Sequence, residues 1–197
     1  MRIGVFGGTF NPPHLGHLVC AQEAYVQLGL DLVTLIPVFT PPHKPLEDDP
    51  GPEHRLELCR RAVAGDERFA VSDLEASRPG PSYTVDTLQE LHANEPDNEL
   101  FLILGGDVAA GLPRWRAPEV VVALATPAVA NRRGTPRARA AAGLSELPGG
   151  APARFFSMPS IGVSSTMIRR RVKAGQPIRY LVPDAVAAYI EAKGMYR

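Results

Sequence analysis

Cysteine is nearly absent from this chain: only Cys20 and Cys59 occur in 197 residues, with no C-x-x-C pair and no Cys/His cluster. That excludes a disulfide framework and a zinc ribbon, and points to free thiols in a reducing, cytoplasmic setting. An excess of charge is missing too. Lys plus Arg number 21 and Asp plus Glu number 21, a formal net charge of zero. Nothing in that balance calls for nucleic acid or an anionic membrane as partner. There is no long hydrophobic run. The longest, 120–130, is interrupted by Pro127 and falls short of the ~20 residues that a membrane span needs. No charged-then-apolar leader precedes residue 2, where strand-like sequence begins. Two common phosphate signatures are lacking as well: no G-x-x-x-x-G-K-[ST] occurs, and the first loop has no G-x-G-x-x-G.

What is present is an alternation of strand and helix patterns. A hydrophobic fraction of 45% is ample for a core, and the length suits one domain, with the C-terminal helices from about 165 as a small subdomain. Strands are expected at 2–6, 32–37, 69–73, 99–104, 128–131 and 154–157. Helices are expected at 15–28, stopped by Gly29, and at 53–64, 84–92, 165–174 and 183–193. The apolar run 120–124 fits either state, and Pro118 just ahead of it favours a helix. Segment 39–52 holds five prolines and must be a loop, and 134–153 reads as a long connection. Repeated alternation of this kind gives an α/β fold with a mostly parallel sheet, whose ligands collect outside the carboxyl ends of the strands.

Three polar segments fall at such ends. The first is Gly7-Gly8-Thr9-Phe10, followed by His14-Leu15-Gly16-His17. Two imidazoles three residues apart at a helix start face the same way, beside backbone N–H groups that have no helical partner. That arrangement suits a phosphate. Alone, the two histidines are as well explained as a cap and a surface residue; directly after a strand and Gly-Gly-Thr, the phosphate site is the better account. The second segment is Gly105-Gly106-Asp107, where Asp107 suits either a ribose hydroxyl or a helix cap. The third is Ser164-Ser165-Thr166 before an apolar-periodic helix that carries Arg169. It is an ordinary N-terminal signal that also offers donors to a polyphosphate. Arg170, Arg171 and Lys173 read as a solvated basic face. Lys44, in the Pro-rich loop, is either solvated or within reach of a phosphate. Thr84 opens a helix. Trp115 is the single tryptophan, in a Pro/Arg loop where deep burial and ring stacking stay open as alternatives.

Together these residues resemble the nucleotidyltransferase superfamily marked by an HxGH near the amino terminus and an S-[ST]-T-x-[IL]-R near the carboxyl terminus. Within it, the chain is similar to the bacterial nicotinate-nucleotide adenylyltransferases nearly end to end: GGTFNPPHLGH, PPHK, SYTVDTL, GGD followed by LPRW, VSSTMIR and YLVPDAVAAYIEAKGMYR. The resemblance implies a Rossmann-like parallel sheet flanked by helices. It implies adenylyl transfer from ATP to nicotinate mononucleotide, giving nicotinate adenine dinucleotide and pyrophosphate, a step of NAD biosynthesis. His14, His17 and Arg169 are then catalytic. Gly7, Gly8, Thr9, Phe10, Gly105, Asp107, Ser165 and Thr166 bind ATP, and Lys44, Thr84 and Trp115 serve the second substrate. Mg2+ rides on the ATP phosphates, since the sequence shows no carboxylate cage. The partners are ATP and nicotinate mononucleotide, with no nucleic acid and no membrane, and a homo-oligomer is left open.

The chain also departs from the family pattern. Asn11 stands where Asp is frequent, Gly106 where Ala is common, and Arg132-Arg133-Gly134 where Arg-Pro-Gly is usual, so neither arginine inherits a role. Segment 134–150 has no motif. Rival accounts are an adenylyltransferase acting on nicotinamide mononucleotide or phosphopantetheine, a catalytically idle nucleotide-binding module, and a fragment of a class I aminoacyl-tRNA synthetase.

Overall fold

The chain starts with a strand that has little freedom to be anything else. In β1 (Arg2–Gly8), Ile3, Val5 and Phe6 are buried. Gly4 between them has no room for a side chain, because a Cβ would lie 2.8 Å from Leu30 Cδ1 and 3.0 Å from Ile103 Cδ1. The computed structural model describes residues 1–42, 45–131, 137–147 and 152–197. After β1 come α1 (Leu15–Leu28), β2 (Leu32–Pro37), α2 (Pro52–Ala62), β3 (Phe69–Val71), α3 (Thr84–Asn94) and β4 (Glu99–Gly105). Then follow α4 (Gly106–Ala110), a 3-10 turn (Leu112–Arg114), α5 (Pro118–Leu124), β5 (Ala125–Asn131), α6 (Arg137–Ser145), β6 (Arg154–Ser157), α7 (Ser165–Lys173) and α8 (Asp184–Ala192).

The strands form one six-stranded parallel sheet in the order β3-β2-β1-β4-β5-β6, flanked by helices. This is a Rossmann-like α/β fold, with the order reversing between β1 and β4. Val5 pairs with Leu102, Leu102 with Pro127, and Ala128 with Arg154. β4 is buried at five consecutive positions, Leu100 to Leu104, as expected of a strand covered on both faces. By contact density the chain divides into two compact units. One comprises Met1–Phe6, Cys20–Thr34 and Tyr83–Ser160; the other comprises Gly7–Val19, Leu35–Ser82 and Ile161–Arg197.

In the first unit, the end of α1 is fastened to β6. Ser157 N–H donates to Gln27 Oε1 at 3.0 Å, and Gln27 Nε2 donates back to the Ser157 carbonyl at 2.6 Å. α6 lies so close to α4 that a Cβ on Gly143 would fall 2.6 Å from the Ala110 carbonyl oxygen. The second unit has its own core, in which Leu58 of α2 and Ile168 of α7 meet Val182, Val186, Ile190, Met195 and Tyr196. Its largest fully buried side chain is a cation. Arg55 of α2 is fully buried, with 0% exposure. Its Nε donates to Asp49 Oδ1 at 2.8 Å, NH1 to the carbonyls of Val38 (2.5 Å) and Thr9 (3.2 Å), and NH2 to the carbonyl of Phe39 (2.8 Å). One planar guanidinium thereby ties the exit of β1, the exit of β2 and the acidic loop before α2 to a single helix.

Sequence expectations fail in three places. Residues 137–145 form α6, not part of a connection, because a run of Ala and Arg has high helix propensity even without a strong apolar stripe. β5 starts at Ala125, not 128. Pro127 is tolerated because β6 begins to pair only at Ala128, so β5 has one neighbour at the proline. β3 stops at Val71, two residues early. The helix expected at 120–124 is α5, with Pro118 in its first turn. Lys44, Arg132 and Arg133 lie outside the described residues, as do parts of 134–150. No helix of the described residues is long and apolar enough to cross a membrane.

Two substitutions test this packing. Arg55→Met keeps side-chain bulk but leaves the Asp49 carboxylate and three carbonyls without their donor. It is expected to lose about 3–5 kcal/mol of unfolding free energy in a urea titration; a loss below about 1 kcal/mol would contradict the role given to Arg55. Gly143→Ala gains about 1 kcal/mol of helix propensity but overpacks against backbone, so a net loss of about 1–3 kcal/mol is expected. A stabilised variant would show that α4 and α6 can separate freely.

Candidate active site

The second unit holds the loop that leaves β1 and the start of α1. At Gly7 a Cβ would meet nothing within 4 Å, whereas at Gly8 it would lie 3.0 Å from the Phe10 ring. The Gly8 carbonyl accepts from Val38 N–H at 3.0 Å, which fixes the exit of the strand. Phe10 adopts a left-handed backbone with φ 49, a conformation that costs a bulky residue energy. Burial of its ring, at 2% exposure, and the hold of Arg55 on the preceding carbonyl sustain it. Phe10 is a core aromatic, and its ring packs T-shaped with that of His17, 5.1 Å between centroids.

His14 and His17 come together. Their rings stack at 3.7 Å between centroids, tilted by 27°. His14 N–H donates to His17 Nδ1 at 3.2 Å, and His17 N–H donates to the His14 carbonyl at 2.9 Å. Since Nδ1 of His17 accepts, the proton of its neutral ring sits on Nε2 and makes that atom a donor. Gly16 matters for a reason that spacing alone does not reveal. A Cβ there would fall 3.0 Å from His14 Cε1, so the missing side chain makes room for the imidazole itself.

α7 is attached to the same loop. Ser164 caps it, its hydroxyl accepting from Met167 N–H at 3.2 Å. This leaves the N–H groups of Ser165 and Thr166 as the helix-start donors without an intrahelical acceptor. The Ser165 hydroxyl donates to the Pro12 carbonyl at 2.8 Å, and Thr166 is exposed. Arg169 is buried at 8% exposure, and its NH1 donates to the Asn11 carbonyl at 3.0 Å. Its NH2 lies 3.8 Å from Glu47 Oε2 and its Nε 3.6 Å from Asp48 Oδ2. These are ion-pair distances but too long for hydrogen bonds, and Nε has no hydrogen-bond acceptor. Lys173 is not merely part of a solvated face: its Nζ donates to Asp48 Oδ1 at 2.7 Å. That hydrogen bond, outweighing a small desolvation cost, holds the Asp48 carboxyl below the usual carboxylate range.

Several supporting residues carry no motif. Asn11 is buried; its Nδ2 donates to the Glu47 carbonyl at 3.1 Å and its Oδ1 accepts from Tyr196 OH at 2.7 Å. Burial pushes the Tyr196 phenol above its ordinary value, partly offset by Arg169. The Cys59 thiol, beside Arg55 on α2, is likewise pushed up by burial. The sequence signals for these roles are faint: an arginine on the apolar face of α2 for Arg55, and the Asn11 departure for the Tyr196 contact.

The remaining candidates belong to the first unit. Gly105 ends β4 and caps α4, and Asp107 in the first turn of α4 is exposed, with Arg139 NH1 at 3.7 Å. Thr84 is the first residue of α3, and Trp115 is half-buried at the end of the 3-10 turn. Arg116, next to Trp115, reaches the start of α3. Its NH1 lies 3.5 Å from Asp86 and its guanidinium 4.7 Å from the Tyr83 ring centroid. The Trp115 loop and the Thr84 end of α3 are therefore linked.

Comparison with known proteins bears on this arrangement. Residues 5–171 match the model of the cytidylyltransferase-like family. A protein of Roseiflexus sp. (strain RS-1) named probable nicotinate-nucleotide adenylyltransferase is 47% identical over 99% of this chain and 98% of its own. One of the same name from Thermus thermophilus is 46% identical over the whole of both chains. The fold matches the Plasmodium falciparum nicotinic acid mononucleotide adenylyltransferase solved with NaAD, with a TM-score of 0.78 at 17% identity, covering 99% of this chain and 97% of that one. With a sheet of this order, a stacked histidine pair at the exit of its first strand and full-length relatives of a single name, the chain belongs to the cytidylyltransferase-like family, among the nicotinate-nucleotide adenylyltransferases.

Proposed function

We propose that this chain transfers the adenylyl group of ATP to nicotinate mononucleotide, releasing nicotinate adenine dinucleotide and pyrophosphate, as a step of NAD biosynthesis in the cytoplasm. The observation that carries the proposal is the end-to-end likeness, at 42–47% identity, to proteins bearing that name. The two polar segments that the likeness marks are also bonded to each other through Ser165 and Arg169.

The 5′-phosphate of the mononucleotide attacks the α-phosphorus of ATP in line, and pyrophosphate leaves. The attacking oxygen is already an anion, so no strong general base is needed. Catalysis then rests on positioning and on neutralising charge as it moves toward the leaving group. The chain supplies donors for that task. Nε2–H of His17 points away from the backbone contact that fixes its tautomer and donates to a phosphate oxygen, and His14 does the same from the stacked ring. The N–H groups of Ser165 and Thr166, at the positive end of α7, and those of the loop at Gly8, Thr9 and Phe10 serve the triphosphate. Arg169 adds a charge-assisted donor. The Ser165 hydroxyl, spent on Pro12, positions α7 rather than binding phosphate. Gly105 and Asp107 are assigned to the nucleoside, Asp107 to a ribose. Thr84 and Trp115 are assigned to the pyridine ring, with Trp115 stacking on it. Lys44 is assigned to the phosphates. All of these groups serve one functional domain.

Among the described residues, no group of three or more His, Cys, Asp or Glu side chains could hold a metal ion. Magnesium is assigned to the phosphate oxygens of ATP and enters with the substrate as MgATP.

The test is pyrophosphate release with ATP and either nicotinate or nicotinamide mononucleotide. Nicotinate mononucleotide is expected to be the better substrate, because donors lining a carboxylate site leave the carboxamide poorly matched. Equal efficiency with both would remove that assignment, and no release with either would remove the proposed reaction. His17→Ala is expected to cut kcat about 10²–10³-fold in a protein that still folds; near-normal turnover would take His17 out of the chemistry.

A further inference from the structure

Glu47, Asp48 and Lys173 have no part in the transfer step, yet the two carboxylates stand beside the arginine assigned to the triphosphate, and Lys173 holds one of them. The Arg169 side chain is only 9% exposed, and a cation so placed needs a counter-charge. Two carboxylates supply it loosely, Glu47 at 3.8 Å and Asp48 at 3.6 Å. Neither is close enough to engage an Arg169 N–H, so the guanidinium keeps donors for an acceptor that comes nearer.

The two carboxylates are not equivalent. Asp48 has a tighter partner in Lys173, at 2.7 Å, and its own backbone is held in a left-handed turn with φ 49. The Glu47 side chain is 79% exposed, while its carbonyl is held by Asn11 Nδ2 at 3.1 Å. Its backbone is thus fixed and its carboxylate stands on a solvated stem that swings at little cost. A triphosphate entering this place brings several negative charges toward Arg169. Like-charge repulsion then favours expulsion of the carboxylate that is easiest to move.

We infer that Glu47 is a displaceable counter-ion: its carboxylate neutralises Arg169 in the free protein and yields that place to a phosphate group of ATP, weakening triphosphate binding instead of supporting it. Asp48 stays with Lys173. Glu47 thereby limits the affinity for ATP and for the departing pyrophosphate, both of which carry charge that Arg169 would otherwise hold more tightly. This inference rests on the assignment of Arg169 to ATP.

The test is calorimetric titration of MgATP into the wild type, Glu47→Gln and, as a control that removes the same charge from another exposed position, Glu67→Gln. Glu47→Gln is expected to bind MgATP about two- to five-fold more tightly, the range of an exposed ion pair. The gain should shrink as salt is raised, with the KM for nicotinate mononucleotide unchanged. Equal or weaker binding by Glu47→Gln, or the same gain in Glu67→Gln, overturns the inference. Because the readout is ATP binding, a wild type that binds ATP but makes no dinucleotide removes the proposed reaction and leaves this test standing. A wild type that binds no ATP removes both.

Discussion

A buried guanidinium sets the geometry on which the candidate site depends. Arg55 contributes no atom to the chemistry proposed here, yet it holds the carbonyls of Thr9, Val38 and Phe39 and the carboxylate of Asp49. Carbonyls at strand exits have no ladder partners, and burying them without donors is costly. Arg55 answers several at once, and by doing so fixes where the Gly-Gly-Thr loop leaves β1. A lysine has neither the planar fork nor enough directed donors to hold the same set.

The polar loop is held from its other side by α7. Ser165 and Arg169 donate to the carbonyls of Pro12 and Asn11, and Tyr196 and Asn11 fasten the acidic loop to the same turn. The left-handed backbone of Phe10 persists inside this cage because its ring is buried and its neighbour's carbonyl is held. Such strain is characteristic of sites whose geometry is set before the ligand arrives. A set of pre-placed neutral and cationic donors is what transfer between two phosphate groups requires. It also explains why no nucleophilic serine or cysteine is needed: Cys59, whose thiol burial pushes up, lies beside Arg55 and is unsuited to attack.

Much of this is legible in the sequence, for identifiable reasons. The alternating strands and helices follow from hydrophobic periodicity, and α1, β2 and β6 fall where the pattern places them. The His14–His17 spacing and the Ser164-Ser165-Thr166 signal are local, so their geometry can be read from helix rules. What stays hidden depends on contacts distant in sequence. Nothing near Arg55 announces that its four hydrogen bonds reach residues 9, 38, 39 and 49. Lys173 reads as part of a solvated face until Asp48, 125 positions away, is seen beside it. Nothing in the spacing around Gly16 shows that its missing side chain makes room for the His14 ring. α6 escapes the pattern because its weak amphipathicity conceals a helix that propensity supports.

The most direct test of the account is a crystal structure with a non-hydrolysable ATP analogue. The triphosphate is expected within hydrogen-bond distance of Nε2 of His17, the His14 ring and the first-turn N–H groups of α7, with the His14–His17 backbone contact preserved. A bound analogue with both imidazoles turned away from its phosphates, or seated elsewhere on the molecule, would contradict it.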